Sequence, residues 1–446
     1  MTKIIKHIGL DDTDSTRRGC TTYIAALLVE KLTKLGANFV DYPSLVRLNP
    51  NVPWKTRGNG ALCLRISHDD TLELQIKETV VSTVEQHSDL ENEGTDPGVV
   101  FFNSARMPRE MQDFAQNTIT GISNIKEAVK LLRKYGGEAV AFKDGRGIIG
   151  ALAAVGETFQ SDHTFEIIAY RTPEDYGTKR RVDETSIFEM DKATKPYTFN
   201  NVDEERKRVI ITPRGPDPIL FGIRGESPEV VKKAFQIVKT LEPVERWVVF
   251  RTNQGTDAHL GRVKELSQIR PYSSIIAKGS VSSPPRMIRG KHVIFSIKDL
   301  GSEVDCAAYE PTGVLRSVAR KLIVGDQVEV YGGVRPRSSD RPLTINLEKI
   351  RLIKPASQVT YRNPVCLKCG ARLKSMGKDK GFRCDKCGAR YPNFTKMAIR
   401  VKREIGKGLY MTSTRSQRHL TKPSSRYGME KQRRKVESLV DEWHFP

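Results

Sequence analysis

Four of the seven cysteines in this 446-residue chain form two pairs, Cys366-x2-Cys369 and Cys384-x2-Cys387. Each pair runs into a glycine, Gly370 or Gly388, which lets the backbone curl round the sulfurs. Such a turn points two thiolates at one ion, and two turns make a closed tetrahedral shell for structural Zn²⁺. A closed shell leaves no coordination position for catalysis. The same spacing also serves redox dithiols. Cys20, Cys63 and Cys306 remain as packing thiols, although Cys20 lies in a loop with other chemistry.

That loop holds Asp11, Asp12 and Asp14, directly after an apolar segment. Three carboxylates so close repel one another unless a cation compensates them. At the end of a strand the usual compensation is Mg²⁺ carrying phosphate oxygens; helix capping is the plainer use of the same residues. Thr21 and Thr22 stand where the next helix begins. Free backbone N–H groups and the helix dipole favour phosphate there. A hydroxyl in that place is a phosphate ligand, a phosphoryl acceptor or a plain helix-start residue.

A third group, Lys55-Thr56-Arg57-Gly58-Asn59-Gly60, puts cations beside glycines, so side chains and backbone reach a polyphosphate together. It is not a Walker A loop, because the G-x4-G-K-[ST] order is absent. A surface turn is its other reading. Gly145, Gly147 and Gly150 in GRGIIGA read as close helix-on-sheet packing. Asp162, His163 and Glu166 open a strand and are candidates for holding a cationic substrate, or mark an exposed edge.

These groups need elements to hold them. KIIKHIGL, residues 3–10, reads as a strand, and TYIAALLVEKLTKLG as a helix stopped by Gly36. NPNVPWKTRGNG is loop feeding a strand at 61–66, and residues 72–87 are helical. Between 138 and 252 the order is strand, Gly/Ala-rich helix, two strands, a helix with Ser227 as N-cap and Pro228 at its first position, and a strand. That β-α-β-β-α-β order predicts a ferredoxin-like unit over 138–265, with an unplaced polar stretch at 171–208. From 271 to 355, five short strands with a helix between the third and fourth predict an OB-type barrel. Residues 356–446 hold the cysteine knuckles and a basic tail with little core-forming text.

Composition agrees with a division of labour. The net charge is +21. Residues 1–270 carry 38 basic and 38 acidic side chains, residues 271–355 carry 14 and 8, and residues 356–446 carry 22 and 7. A neutral front half with a basic back half reads as a chemistry module joined to a polyanion grip, so truncation near Pro355 is expected to spare the former. No apolar run approaches the roughly 18–20 residues of a membrane span. The N-terminus turns acidic within about ten residues, unlike a secretory leader. The sparse, paired cysteines suit a reducing cytoplasm. On these residues alone, a non-catalytic single-strand nucleic-acid binder with a nucleotide-sensing domain stands beside an enzyme.

IGLDDTDSTRRGCTTY, RLNPNVPWKTRGNGA, GIIGALAAVG, DHTFEIIAYR and NQGTDAHL together resemble the archaeal tRNA(Ile) 2-agmatinylcytidine synthetases over nearly the full length. The resemblance implies a kinase-like ATP-binding catalytic domain at 1–137, followed by ferredoxin-like, OB and zinc-ribbon domains. It implies an ATP-dependent ligase that phosphorylates the C2 carbonyl of the wobble cytidine, C34, in a tRNA(Ile) with a CAU anticodon. Agmatine then displaces phosphate, giving 2-agmatinylcytidine and AUA decoding, with ATP cut to AMP. Asp11, Asp12 and Asp14 match the family's Mg²⁺/ATP residues, and Thr21 its self-phosphorylated threonine. Lys55, Arg57 and Asn59, with Gly58, Gly60 and Thr22, are carried over as phosphate-site residues. ATP, Mg²⁺ and Zn²⁺ are the implied cofactors, tRNA and agmatine the partners; no membrane or protein partner is implied.

Overall fold

A computed structural model describes residues 5–56, 58–339, 341–432 and 438–446. Arg57 lies outside the described residues. β1 (Lys6–Asp11) is buried along almost its whole length, because a strand pairs on either side of it. α1 (Thr21–Lys34) follows, with Lys31 and Lys34 against the negative end of its dipole, and the chain turns at Gly36 with φ +94°. β2 (Ser44–Arg47) and β3 (Gly60–Ser67) flank the NPNVPWKTRGNG loop. α2 (Glu73–His87), β4 (Gly98–Asn103), α3 (Arg109–Thr120), β5 (Glu138–Ala141) and α4 (Gly147–Gly156) complete the first unit.

The strand expected to open the ferredoxin-like unit does not sit there. β5 pairs antiparallel with β4, at the far edge of the first unit's sheet. α4 likewise packs on β1 and β4. A Cβ on Gly98 would lie 2.2 Å from the Ile148 backbone nitrogen, and one on Gly9 2.2 Å from the Ala151 carbonyl oxygen. Glycine on the sheet thus lets the helix backbone touch it, as the GRGIIGA reading requires. The boundary at 137/138 therefore cuts one hydrophobic core, which unites Val100, Phe102, Ala151 and Leu152.

β6 (Thr164–Arg171), β7 (Ile219–Gly225), α5 (Pro228–Ile237) and β8 (Val244–Thr252) follow, with the Ser227 hydroxyl accepting from the Val230 N–H at 3.3 Å. β8 pairs in parallel with β2, so both units share one sheet ordered β5-β4-β1-β3-β2-β8-β6-β7. The stretch at 171–208 contributes a helix, Glu184–Thr194, and short strand pairs.

The barrel matches its expected strand order. β9 (Ser274–Val281), β10 (His292–Lys298), β11 (Glu303–Ala308), α6 (Val314–Arg320), β12 (Gln327–Arg335) and β13 (Thr344–Lys354) follow in sequence. The five strands close through β9–β10 pairing, around Phe295, Val328, Val330 and Ile350. β14 (Val359–Arg362) pairs with β15 (Met397–Arg400) and carries the cysteine knuckles as an excursion. Among the described residues, no helix is long and apolar enough to cross a membrane.

The C-terminal tail is the largest departure from the sequence reading. β16 (Gly408–Met411) pairs with β13, and β17 (His444–Phe445) pairs with β8. Between them, Arg426 is fully buried, and Trp443 packs edge-on against Tyr42. What reads as a solvated basic tail is an internal strap, because its cations meet buried carboxylates of the front half. Truncation near Pro355 would remove it and leave those carboxylates without partners, so the expectation that such a truncation spares the front half does not hold.

Candidate active site

β1 ends in the carboxylate loop, whose shape is fixed by hydrogen bonds within it and to the chain between α2 and β4. Ser15 Oγ accepts from the Arg17 and Arg18 amides at 2.9 and 3.1 Å, and Asp14 O accepts from Thr95 Oγ1 at 3.0 Å. Arg18 Nε reaches Asp89 at 3.0 Å. Asp12 has φ +59°, a left-handed turn that Asp tolerates better than most residues. The turn sends its carboxylate to Arg146, whose Nε and Nη2 donate at 2.8 and 2.6 Å. Arg146 is anchored in turn by Asp96, which accepts from the Gly145 and Arg146 amides at 2.8 and 3.2 Å.

A cleft of about 280 Å³ opens beside this loop. Asp11, Asp12, Asp14, Thr21, Thr22, Lys55, Gly58, Asn59 and Gly60 all line it. The structure thus brings together every candidate from the three N-terminal groups that is described. Thr21 and Thr22 are the first two residues of α1, and the Thr21 hydroxyl lies 3.0 Å from that of Thr13. Asn59 serves the loop's own fold: its Nδ2 donates to Asn49 O at 2.7 Å.

Electrostatics single out the carboxylates. Burial, then Asp12 beside it, raises the Asp11 carboxyl well above its ordinary range. Burial pushes Asp12 up to about 6, against the pull of Arg146. Groups that resist ionising when alone are sites for a cation. Among the described residues, the cysteines alone bring three or more such ligand atoms within 4.8 Å. The three carboxylates therefore do not form a cage. Mg²⁺ needs none: one or two carboxylates hold it together with substrate phosphates and water. Asp11 and Asp14 could serve so, while the Asp12 carboxylate is held by Arg146.

Sequence reasoning missed Arg146, Arg47 and His419, which also line the cleft. Arg146 is the arginine of GRG at the start of α4, a position open to a helix-start site but assigned only to packing. Burial lowers Arg47 to about 10. His419 arrives on the strap, and no local pattern announces it. His419 Nδ1 lies 3.0 Å from both Arg224 Nη2 and Gln254 Oε1. The Arg47 charge, then burial, hold its pKa well below the ordinary value, so the ring is neutral.

Asp162, His163 and Glu166 do not line the cleft. The cations that Asp162 and Glu166 meet are the chain's own. Asp162 pairs with Arg426 at 2.9 Å, and Glu166 with Arg224 at 3.0 Å. Burial, the main cause, lowers the His163 pKa to about 4.

At the ribbon, Cys366 and Cys387 sulfurs lie 3.5 Å apart, as do those of Cys369 and Cys384. A tetrahedral Zn–S length of about 2.3 Å sets sulfurs about 3.8 Å apart, so the four fit zinc. Cys366→Ser or Cys384→Ser is expected to lose about one zinc per chain, read by metal analysis of purified protein. Full zinc content in a variant lacking both knuckles would rule the site out.

Models of three domain families match the chain: the TiaS TCKD domain at 7–144, the TiaS FLD domain at 145–259 and the TiaS C-terminal zinc ribbon domain at 363–405. The isoleucine-tRNA 2-agmatinylcytidine synthetase TiaS of Methanocaldococcus jannaschii is 42% identical over 425 residues, covering 94% of this chain and 98% of that protein. That of Methanosarcina mazei is 43% identical over 423 residues, covering 93% and 96%. A solved complex of TiaS with its isoleucine tRNA and ATP superposes with a TM-score of 0.87 at 40% identity, covering 97% of this chain and 99% of that one. A complex of TiaS with the same tRNA, AMPCPP and agmatine gives 0.83 at 38% identity, with the same coverage.

Proposed function

Because the chain belongs to the TiaS family of isoleucine-tRNA 2-agmatinylcytidine synthetases, we propose that it is an ATP-dependent ligase joining agmatine to C2 of the wobble cytidine, C34, in a CAU-anticodon tRNA(Ile). One observation carries this reading. A single cleft gathers the carboxylate loop, the threonine-bearing start of α1, and cations from three further chain segments. Phosphoryl transfer needs such a site, since its catalysis is mostly positioning and charge neutralisation.

Two cleavages take ATP to AMP: the cytidine O2 attacks the γ-phosphorus as its bond to the β–γ bridging oxygen breaks, and water cleaves the α–β bridge, so that AMP and the β-phosphate leave separately. The agmatine amine then adds at C2, and the C2–O bond breaks as inorganic phosphate leaves with that oxygen. Asp11, Asp12 and Asp14 would hold Mg²⁺, which would supply charge neutralisation on the phosphates. Lys55 and Arg146 orient their oxygens, and the α1 N-terminus offers free amides. The cleft's acidic groups give dicationic agmatine its counter-charges. The closed barrel takes the OB role and the ribbon the RNA grip, with the first unit kinase-like and the second keeping, without β5 and α4, only the later part of the ferredoxin-like order; we place the protein in the cytoplasm. AMP release that requires both tRNA and agmatine is the direct test. AMP release without either substrate present, or none with both, would refute the reading.

Thr21→Ala separates two roles. If Thr21 accepts phosphate, label from the ATP γ-position disappears from the protein. If its hydroxyl only pairs with Thr13 at the helix start, label persists and stability falls by about 1 kcal/mol for the lost buried hydrogen bond.

Internal deletion of 363–396, joining β14 to β15, is expected to flatten the salt dependence of tRNA binding while ATP binding persists. The ribbon's Lys and Arg would no longer release counterions from phosphates. An unchanged slope would place the grip elsewhere.

A further inference from the structure

Beyond the wall formed by Arg47, Lys55, Gly58 and His419, a second cavity of about 500 Å³ adjoins the cleft. Arg47, Lys55, Arg224, Arg415 and Arg418 line it with His419, and among the described residues no carboxylate does. Nor, among them, does any aromatic ring other than the imidazole, so the cavity offers nothing on which a nucleobase would stack. Carboxylates outside the lining pair with its arginines: Glu166 is 3.0 Å from Arg224, Glu348 is 3.7 Å from Arg418, and Glu205 and Asp203 are 2.8 and 3.3 Å from Arg415. Arg47 Nε is buried and has no hydrogen-bond partner among the described residues. The neutral His419 imidazole completes the shared wall. Partly buried arginines held in place by carboxylates form a preorganised cradle for a small oxyanion, and Arg suits phosphate best.

We propose that this cavity is a binding site for inorganic phosphate, separate from the nucleotide cleft, which receives the phosphate displaced when agmatine attacks. The phosphate's origin rests on the function proposed above; the binding site itself does not. Four features meet here: the cationic, carboxylate-free lining, the lack of a stacking surface, the shared wall, and the orphaned Arg47 nitrogen. The strap supplies Arg415, Arg418 and His419, which gives the burial of this segment a purpose beyond stability.

The test is calorimetric titration of inorganic phosphate into full-length protein saturated with a non-hydrolysable ATP analogue. One phosphate is expected to bind per analogue-loaded chain. Arg418→Gln is expected to weaken it at least tenfold, with the analogue's affinity within twofold. Arg415→Gln, at a side chain paired with Asp203 and Glu205, is a second variant should the first fold poorly, and is expected to weaken phosphate severalfold. Three results overturn the proposal: no binding once the analogue is present, binding unchanged in both variants, or displacement of phosphate by stoichiometric tRNA. The last would assign the cavity to an RNA backbone phosphate. Agmatine incorporation, measured separately, reports on the functional reading, so its absence with phosphate binding intact would leave this site standing.

Discussion

Asp12→Asn is expected to lower agmatine incorporation about a hundredfold or more while the protein stays folded. Asn is nearly isosteric and also tolerates the φ of +59° found at this position. What it loses is the charge that Arg146 grips at 2.6 Å and that a phosphate-bound metal would share. Losing a charge on such a metal costs several kcal/mol of transition-state stabilisation, and roughly every 1.4 kcal/mol is tenfold in rate. The wild-type pH profile gives an independent signature. Burial pushes the Asp12 carboxyl up to about 6, so incorporation should fall as pH drops through that value. The sign for stability is opposite. A folded pKa above the unfolded one means the folded protein holds this proton more tightly. Asp12's contribution to stability is therefore greatest below the unfolded value of 3.8 and is lost as pH rises through about 6. Single-turnover rates of both proteins across pH 5–8 check the activity limb, and denaturant midpoints over the same range check the stability limb. Near-normal incorporation by Asp12→Asn, with an unchanged acid limb, would remove this loop from the chemistry.

The sequence made the site's acidic half legible and hid its basic half, for a physical reason. Carboxylates, threonines and the Lys55–Gly60 loop lie in short contiguous runs, each next to an element with clear periodicity. Their residue types alone constrain what they do. Arg47, Arg146 and His419 come from three distant places, and only the sheet and the strap bring them together. The barrel was readable because alternating short strands with one helix leave few ways to close. β5 was misplaced because strand order is not sheet order: β4 offered an edge, and α4 covered it. NQGTDAHL was conspicuous as text, and the structure explains it. Asn253 holds the Arg47 backbone at 2.8 Å, and His259 meets Glu348 at 3.1 Å. Gln254 donates to Glu166 and touches His419 at 3.0 Å. This segment joins the sheet, the barrel and the strap, a role no local pattern describes.

Arg426→Ala tests whether the strap is structural in the strong sense. The guanidinium is fully buried. It meets Asp162 bidentately at 2.9 and 3.0 Å, meets Glu226, and donates to Gly255 O at 2.6 Å. Lys431 reaches Glu226 at 3.2 Å, and Lys422 reaches Asp162 at 3.5 Å, so two lysines would remain for two carboxylates after the substitution. They do not replace a planar fork that satisfies both acids and a carbonyl at once. Removing one partner of a buried charge network typically costs about 3–5 kcal/mol, since the other partner keeps its desolvation cost. A loss of that size is expected here, read as the shift of the denaturant midpoint at unchanged slope. Arg426→Lys should recover only part, because it restores the charge without the fork. Activity should fall further than stability at permissive temperature, since His419 and Arg418 lie on the same segment and shift when the anchor is lost. If Arg426→Ala loses less than about 1 kcal/mol, the low end for any buried hydrogen bond left unmade, and keeps full agmatine incorporation, the strap's burial is incidental, and His419 is held in the cleft by its contacts with Arg224 and Gln254 alone.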